Sequence, residues 1–199
     1  MKTLTCTLAA LASAAILPAI AQNADGFSGF SIGTEIGIQK NKIDVTAPGA
    51  VTLKNSDRGY ALRGFASYDF AVGDSLLLGV EAGLSLGGPD VKDTSGTASV
   101  RADPGITIDI SARAGLAVSE NVLLYGRAGY ANSKIEVSAS NTAVPGTSVN
   151  SDKRKGGLLL GAGGEWAMSD VLSLRAEYRR SKLGDLKSDQ VMLGGLVRF

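Results

Sequence analysis

Histidine is absent from the 199-residue sequence, and cysteine occurs only once, at Cys6. The chain therefore lacks the commonest general base and metal ligand of proteins, and it lacks the second thiol that an internal disulfide requires. Hydrolase or acyltransferase chemistry would have to use a glutamate or a lysine as its base, and no motif marks one. We therefore expect a protein that is not an enzyme and that binds no cofactor.

Long hydrophobic runs are also missing after the first residues, and the formal net charge is only +1. After the first 21 residues, no segment reaches the roughly 17 consecutive apolar residues that a membrane-spanning helix needs. The 20 basic residues are almost balanced by 19 acidic ones. No global basic field is available to attract nucleic acid, so we expect no nucleic-acid partner.

Residues 1–21 have the composition of a secretory signal peptide. Lys2 supplies a positive start, a charge-free apolar stretch follows, and Ala19-Ile20-Ala21 gives the small-x-small pattern of a cleavage site. The apolar stretch is too short to anchor the chain in a membrane as a helix. We predict a mature chain that begins at Gln22, with residues 22–199 forming one domain.

Eight segments of the predicted mature chain alternate apolar residues with small or charged ones. They cover residues 30–38, 60–70, 76–86, 106–118, 122–130, 158–166, 172–178 and 191–199. One face of each segment carries no charge, as expected for strands that present this face to lipid and close into a barrel. A soluble sheet also alternates, but its charged face would meet water.

The charged residues of these segments all share the inward parity. The predicted lumen charge ladder consists of Glu35, Arg63, Glu81, Asp109, Arg113, Arg127, Glu165, Arg175, Glu177 and Arg198. Asp69 has the same parity, and Arg179 is expected near the rim. Without Arg179, five arginines face six carboxylates, which need partners in a narrow lumen. An eight-stranded barrel is filled by such side chains, which disfavours a pore.

The connections between the segments alternate in length. Short links are predicted at residues 72–75, 119–121 and 167–170, long ones at residues 39–59, 87–105 and 131–157, and a shorter fourth outer loop at residues 180–190. Outer-membrane barrels have short periplasmic turns and longer extracellular loops. We therefore expect both termini in the periplasm and four exposed loops without regular structure on the outside. Such loops either recognise an extracellular ligand or simply shield the barrel.

Aromatic and basic residues concentrate where the segments end. Predicted aromatic girdles contain Phe30, Tyr60, Phe70, Tyr130 and Trp166. Such residues mark the two interfaces of a bilayer. A predicted basic rim at the outer ends contains Arg58, Lys153, Arg154, Lys155, Arg180 and Lys182. This rim would attract the phosphates of lipopolysaccharide, and the alternative is a set of solvated surface charges.

Several stretches resemble the small outer-membrane barrel family that includes OmpA-type barrel domains, opacity-type surface proteins and the OmpX/Ail group. They are Gly26-Phe27-Ser28-Gly29-Phe30, residues 123–130, Arg175-Ala176-Glu177-Tyr178-Arg179 and the terminal Phe199. The resemblance implies an all-β fold, an eight-stranded antiparallel up-and-down transmembrane β-barrel in the outer membrane.

The same resemblance implies partners and a role. Tyr178, Val197 and Phe199 would form the signal that the barrel-assembly machinery reads, and outer-membrane lipid and lipopolysaccharide would surround the barrel. We expect a contribution to envelope integrity, with surface recognition or adhesion by the loops through an extracellular ligand. The alternative function is a narrow small-solute pore.

Overall fold

The computed structural model of the chain describes residues 24–47, 50–87, 91–95, 98–141, 148–183 and 186–199. Within these ranges, side chains are described for residues 24–42, 58–86, 105–133, 154–183 and 187–199. The predicted signal peptide, residues 1–21, lies outside the described residues.

Nine antiparallel strands make up almost all of the described chain. They are β1 (Gly29–Ala47), β2 (Ala50–Val72), β3 (Leu76–Gly87), β4 (Val91–Ser95), β5 (Ala98–Ser119), β6 (Val122–Asn141), β7 (Ser148–Ala167), β8 (Leu172–Leu183) and β9 (Leu186–Arg198). Strands that are consecutive in sequence pair with each other, except that β3 does not pair with β4. Strand β3 pairs with β5, and β1 pairs with β9, so eight strands form a closed ring. The predicted eight-stranded antiparallel barrel is confirmed, and the short strand β4 pairs with β5 outside the ring.

The strands are much longer than the apolar alternation predicted. Strand β1 continues to Ala47 and pairs there with Ala50, and β6 pairs with β7 as far as Ser140 and Ser148. The expectation of irregular long loops was therefore wrong for most of their length, because they form tall hairpins. Backbone N–H and C=O groups still pair where the strands extend beyond the lipid. Both faces of the sheet meet water there, so the side chains need not alternate and the sequence does not reveal the strand.

The two faces of the wall differ as the alternation predicted. Outward side chains such as Ile36, Ile110 and Leu193 are more than 60% exposed. The residues between them point inward and are buried. Because successive side chains of a strand point to opposite faces, this division follows from local sequence once the strand is formed.

A single turn of 3₁₀ helix, Ala24–Phe27, closes the end of the barrel that carries the short turns. Ala24 and Phe27 pack inside the barrel against Leu77, Ala117 and Leu123. The Ala24 amide donates to the Asp74 carbonyl at 2.9 Å, which fixes this N-terminal plug to the turn between β2 and β3. No helix in the described part of the chain is long and apolar enough to cross a membrane.

Candidate functional site: the ionic interior and the charged rim

All ten residues of the predicted charge ladder point into the barrel, together with Asp69 and Arg179. None of these twelve residues is more than 6% exposed. All eight strands of the ring supply them through their inward parity, and closure of the ring brings residues that are distant in sequence into contact.

Arg63 binds three carboxylates at the centre of the interior. Its Nε and Nη2 atoms donate to the two oxygens of Asp109 at 3.1 and 2.7 Å. Nη1 donates to Glu35 Oε2 at 3.2 Å, and Nη2 lies 2.8 Å from Glu81 Oε1. The planar guanidinium suits this forked pairing, which lysine could not reproduce.

Arg175 bridges the same carboxylates from the opposite wall. Its Nη1 donates to Glu81 Oε2 at 2.7 Å, and its Nε lies 3.1 Å from Glu35 Oε1. It also contacts Glu177, whose Oε2 accepts a hydrogen bond from the Tyr125 hydroxyl at 2.7 Å. Arg127 joins Glu81, Asp109 and Glu177 from β6. The network therefore spans the full width of the barrel.

Arg179 lies deeper than the sequence suggested. It is 3% exposed, and its Nη2 and Nε donate to Glu35 Oε2 and Glu177 Oε1, both at 2.9 Å. The interior is still closed at this level because β8 continues to Leu183. With Arg179 included, six arginines face six carboxylates among the described residues, so the interior network is charge-neutral.

A second group of ion pairs lies toward the short turns. Arg113 contacts Asp69 and Glu165, both at 3.3 Å, and Arg198 shares Glu165. The Arg198 Nη1 also donates to the Gly26 carbonyl at 3.2 Å, and its guanidinium lies 5.4 Å from the centre of the Phe27 ring. The network is thus joined directly to the N-terminal plug.

Two inward aromatic rings fill the space between the arginines. The Arg175 guanidinium lies 4.6 Å from the centre of the Phe65 ring and 4.7 Å from that of Tyr125. Arg113 lies 4.5 Å from the Tyr125 ring. These are cation–π distances, so the rings stabilise the buried cations as well as occupying the lumen.

Inward glycines make room for these large side chains. A Cβ atom on Gly83 would lie 2.2 Å from Arg63 Nη2, and one on Gly33 would lie 2.5 Å from the Phe65 ring. An apolar cluster of Ala131, Leu159 and Leu183 lies toward the long hairpins. The interior thus contains an apolar plug, an ionic middle and a second apolar cluster.

The predicted girdle residues all point outward. Phe30, Phe70 and Trp166 lie beside the short turns, whereas Tyr60 and Tyr130 lie toward the long hairpins. Each is at least 43% exposed. The Phe30 ring is 6.2 Å from that of Phe199, centre to centre. The aromatic side chains therefore lie near both ends of the apolar outer wall.

The rim residues that the sequence singled out lie on β2, on β7 and on β8. Arg58, Arg154, Arg180 and Lys182 are exposed, and Lys155 is half-buried. The side chain of Lys153 lies outside the described residues. Sequence reasoning missed Lys40, Lys42 and Lys187, because it ended β1 and began β9 too close to the membrane. The outward parity of β1, extended four residues past Ile38, would have identified Lys40 and Lys42.

An apolar outer wall with aromatic residues near both ends, around a filled and neutral interior, defines a transmembrane β-barrel. The chain belongs to the outer membrane protein beta-barrel domain family, whose family model matches residues 7–199. It is therefore an integral barrel protein of the outer membrane.

The curated relatives are named as outer-membrane immunogenic proteins. The chain is 27% identical over 125 residues to the 31 kDa outer-membrane immunogenic protein of Brucella melitensis, and the match covers 60% of this chain and 52% of that one. The Brucella suis protein of the same name gives the same figures. The chain thus spans about half the length of the curated relatives it matches.

Solved structures share the fold. OprG of Pseudomonas aeruginosa has a TM-score of 0.60 and 16% identity, covering 86% of this chain and 96% of its own. Neisserial surface protein A has a TM-score of 0.59 and 19% identity, covering 86% and 98%. Ail of Yersinia pestis, in complex with the heparin analogue sucrose octasulfate, has a TM-score of 0.52 and 21% identity, covering 86% and 99%.

Proposed function

We propose that the protein is a structural component of the outer membrane that supports envelope integrity and presents its long hairpins to the outside for surface recognition. The observation that supports this proposal most is the filled interior. Six arginines and six carboxylates pair there around two aromatic rings. Such an interior stiffens the wall and leaves the hairpins as the surface that is available for recognition.

A narrow solute pore is the weaker alternative. An eight-stranded barrel is only wide enough for its own side chains, and the N-terminal plug adds Phe27 to the short-turn end. In planar bilayers the purified protein should give no stable openings, whereas a larger porin in the same membrane gives steps. Stable openings of large conductance would overturn the sealed-interior proposal.

The envelope role predicts a phenotype in cells. Deletion of the gene should increase uptake of large antibiotics and sensitivity to detergent, and the intact gene should restore the barrier. Complementation by a chain with shortened β6–β7 and β1–β2 hairpins should restore the barrier equally well, because the wall is intact. A deletion strain with an unchanged barrier would contradict the envelope role.

Surface recognition by the hairpins is supported by analogy. Ail, a barrel of the same fold, is described as an attachment invasion locus protein and was solved with a heparin analogue. We propose that the hairpins of this chain contact an extracellular ligand. The shortened-hairpin chain should then lose attachment to host or neighbouring cells while it keeps the barrier.

The basic rim is proposed to bind lipopolysaccharide phosphates, which the outer leaflet displays. Six glutamine substitutions remove it: Arg58, Lys153, Arg154, Lys155, Arg180 and Lys182. The lipopolysaccharide that co-purifies with the barrel should fall, because each basic residue near an anionic surface adds to the attraction. If the amount of co-purifying lipopolysaccharide did not change, the proposal that the basic rim binds its phosphates would be wrong.

Export, assembly and the absence of catalysis complete the proposal. The mature chain should begin at Gln22, which N-terminal sequencing checks. Deletion of Phe199, which is outward and 76% exposed, should lower the level of barrel in the outer membrane without preventing refolding in detergent.

Mass spectra of lipid A from cells with and without the protein should be identical; a reproducible change in the acyl chains would show that the protein is an enzyme.

A further inference from the structure

Closure of the barrel brings together outward-facing cations that lie far apart in the sequence. Lys40 and Lys42 on β1, Lys187 on β9, and Arg180 and Lys182 on β8 lie on three adjacent strands. We call these five residues the basic face. Lys42, Arg180 and Lys182 are exposed, and Lys40 and Lys187 are half-buried.

Three lysines of the basic face form a row across the strands. Lys187 is the direct register partner of Lys42 on one side and of Lys182 on the other. Directly opposite residues have Cβ atoms about 5 Å apart, and like charges at such positions destabilise a sheet. An anion placed over the row would be attracted by all three ammonium groups at once.

Asp189, two residues along β9, provides one negative charge beside the row. Its Oδ1 accepts a hydrogen bond from the Tyr178 hydroxyl at 2.8 Å and lies 3.6 Å from Arg180 Nε. Its Oδ2 lies 4.0 Å from Lys42 Nζ. This carboxylate pairs with Lys42 and Arg180, so the described side chains of the face comprise one acid and five cations.

The row lies just beyond the aromatic girdle. Lys182 follows Tyr178 by four residues, about 13 Å along the strand. Tyrosines of such girdles sit at the level of the lipid headgroups. Barrel strands are tilted, which reduces this height, and lysine side chains extend along the wall, so the ammonium groups of the row reach the layer in which headgroup phosphates lie.

The remaining outer wall differs from the basic face. The outward side chains described on β3, β5 and β6 carry no charge; those toward the long hairpins include Leu86, Ile106, Ile108, Tyr130 and Asn132. Arg58 on β2 is the register partner of Lys40 and borders the basic face, and Arg154 lies on β7, the other strand next to β8; neither belongs to the lysine row. Positive charge is thus confined to one side of the described wall.

We propose that the basic face is a binding site for the phosphate groups of lipid A, centred on Lys42, Lys187 and Lys182. This inference rests on the proposed lipopolysaccharide rim and assigns its main contact to one side of the barrel. Flexible ammonium groups bind phosphates as point charges, and several of them converge here on one headgroup. The lipid is held beside β8, β9 and β1, and the uncharged wall stays free.

The test compares two triple variants of equal charge. Lys42→Gln, Lys182→Gln and Lys187→Gln remove the row, and Lys153→Gln, Arg154→Gln and Lys155→Gln, all on β7, form the matched control. Each purified barrel is placed in phosphatidylcholine nanodiscs with lipid A, and bound lipid A is measured by native mass spectrometry. We expect the apparent affinity to fall about ten-fold for the row variant and about two-fold for the control. The Lys→Arg version of the row should bind like the wild type.

The outcomes separate this site from the rim as a whole. If the two triple variants lose equal affinity for lipid A, the one-sided site is wrong and the proposed basic rim stands. If neither triple variant loses affinity, and the variant with all six rim residues changed to glutamine does not either, the site and the rim are both wrong. Wild-type protein should bind phosphate-free lipid A much more weakly, which tests phosphate recognition even where a variant fails to fold. Release of lipid A by millimolar inorganic phosphate would assign the face to soluble anions and overturn the lipid assignment.

Discussion

At the scale of single residues, the interior is a set of charges that depend on one another. Arg175 contacts Glu35, Glu81 and Glu177, and each of these carboxylates has at least one further arginine partner. A buried ion pair adds little stability over an apolar pair, but removal of one partner leaves an uncompensated buried charge. Single substitutions in the interior should therefore be costly.

Arg175→Met tests this dependence. We expect the free energy of unfolding to fall by about 3–5 kcal/mol, because three carboxylates lose a shared partner. Urea unfolding in detergent, followed by the fluorescence of the single tryptophan, measures it. Arg180→Met on the same strand should cost less than about 1 kcal/mol, since its ion pair is exposed. Equal losses in the two variants would contradict the network.

Gly83→Ala tests the space that inward glycines provide. The added Cβ would meet the guanidinium of Arg63, which cannot move because three carboxylates hold it. We expect a loss of about 2 kcal/mol from overpacking. Gly64 is the matched control, since nothing lies within 4 Å of its Cβ position, and Gly64→Ala should be neutral within about 0.5 kcal/mol. A tolerated Gly83→Ala would show that the interior is loosely packed.

At the scale of elements, the sequence located every barrel strand but not its full length. The segment 30–38 belongs to β1, yet β1 runs from Gly29 to Ala47. Alternation is visible only where one face meets lipid, so the hairpin extensions carry no such signal. The helix Ala24–Phe27 is too short for any periodicity, and its burial depends on the open barrel end beside it.

Phe27→Ala tests the N-terminal plug. Phe27 is fully buried against Leu77 and Leu123, so its truncation should lower the free energy of unfolding by about 3–5 kcal/mol. Phe70→Ala is the control, because Phe70 faces outward and is 49% exposed. Its truncation should cost less than half as much in the same urea titration. If Phe70→Ala lowered the free energy of unfolding more than Phe27→Ala, the N-terminal plug would not be packed inside the barrel.

At the scale of the whole molecule, the two ends of the barrel differ in charge. The end with the short turns carries Asp74, Glu120 and Asp170, and the long-hairpin end carries the basic face and Arg58. The proposed orientation places the acidic end in the periplasm and the basic end at the lipopolysaccharide leaflet. This polarity matches the anionic outer surface.

Single cysteines test the orientation. The predicted mature chain contains none, so Arg58→Cys and Glu120→Cys each introduce one label site. A membrane-impermeant maleimide should label Arg58→Cys in intact cells, and Glu120→Cys only after the outer membrane is permeabilised. The unmodified protein should stay unlabelled if residues 1–21, with Cys6, are removed. Labelling in the opposite order would invert the orientation.

The sequence by itself determined the class of fold and the direction of each side chain of the wall. Alternation is a local property, so the inward parity of Glu35 and Arg63 and the outward parity of Tyr60 could be read before any strand was placed. Only the tertiary structure decided which charges meet. Arg179 and Glu35 are 144 residues apart, and they pair because β1 closes the ring against β9. The same closure sets Lys42 beside Lys187, since register between distant strands depends on the whole ring and not on either segment alone.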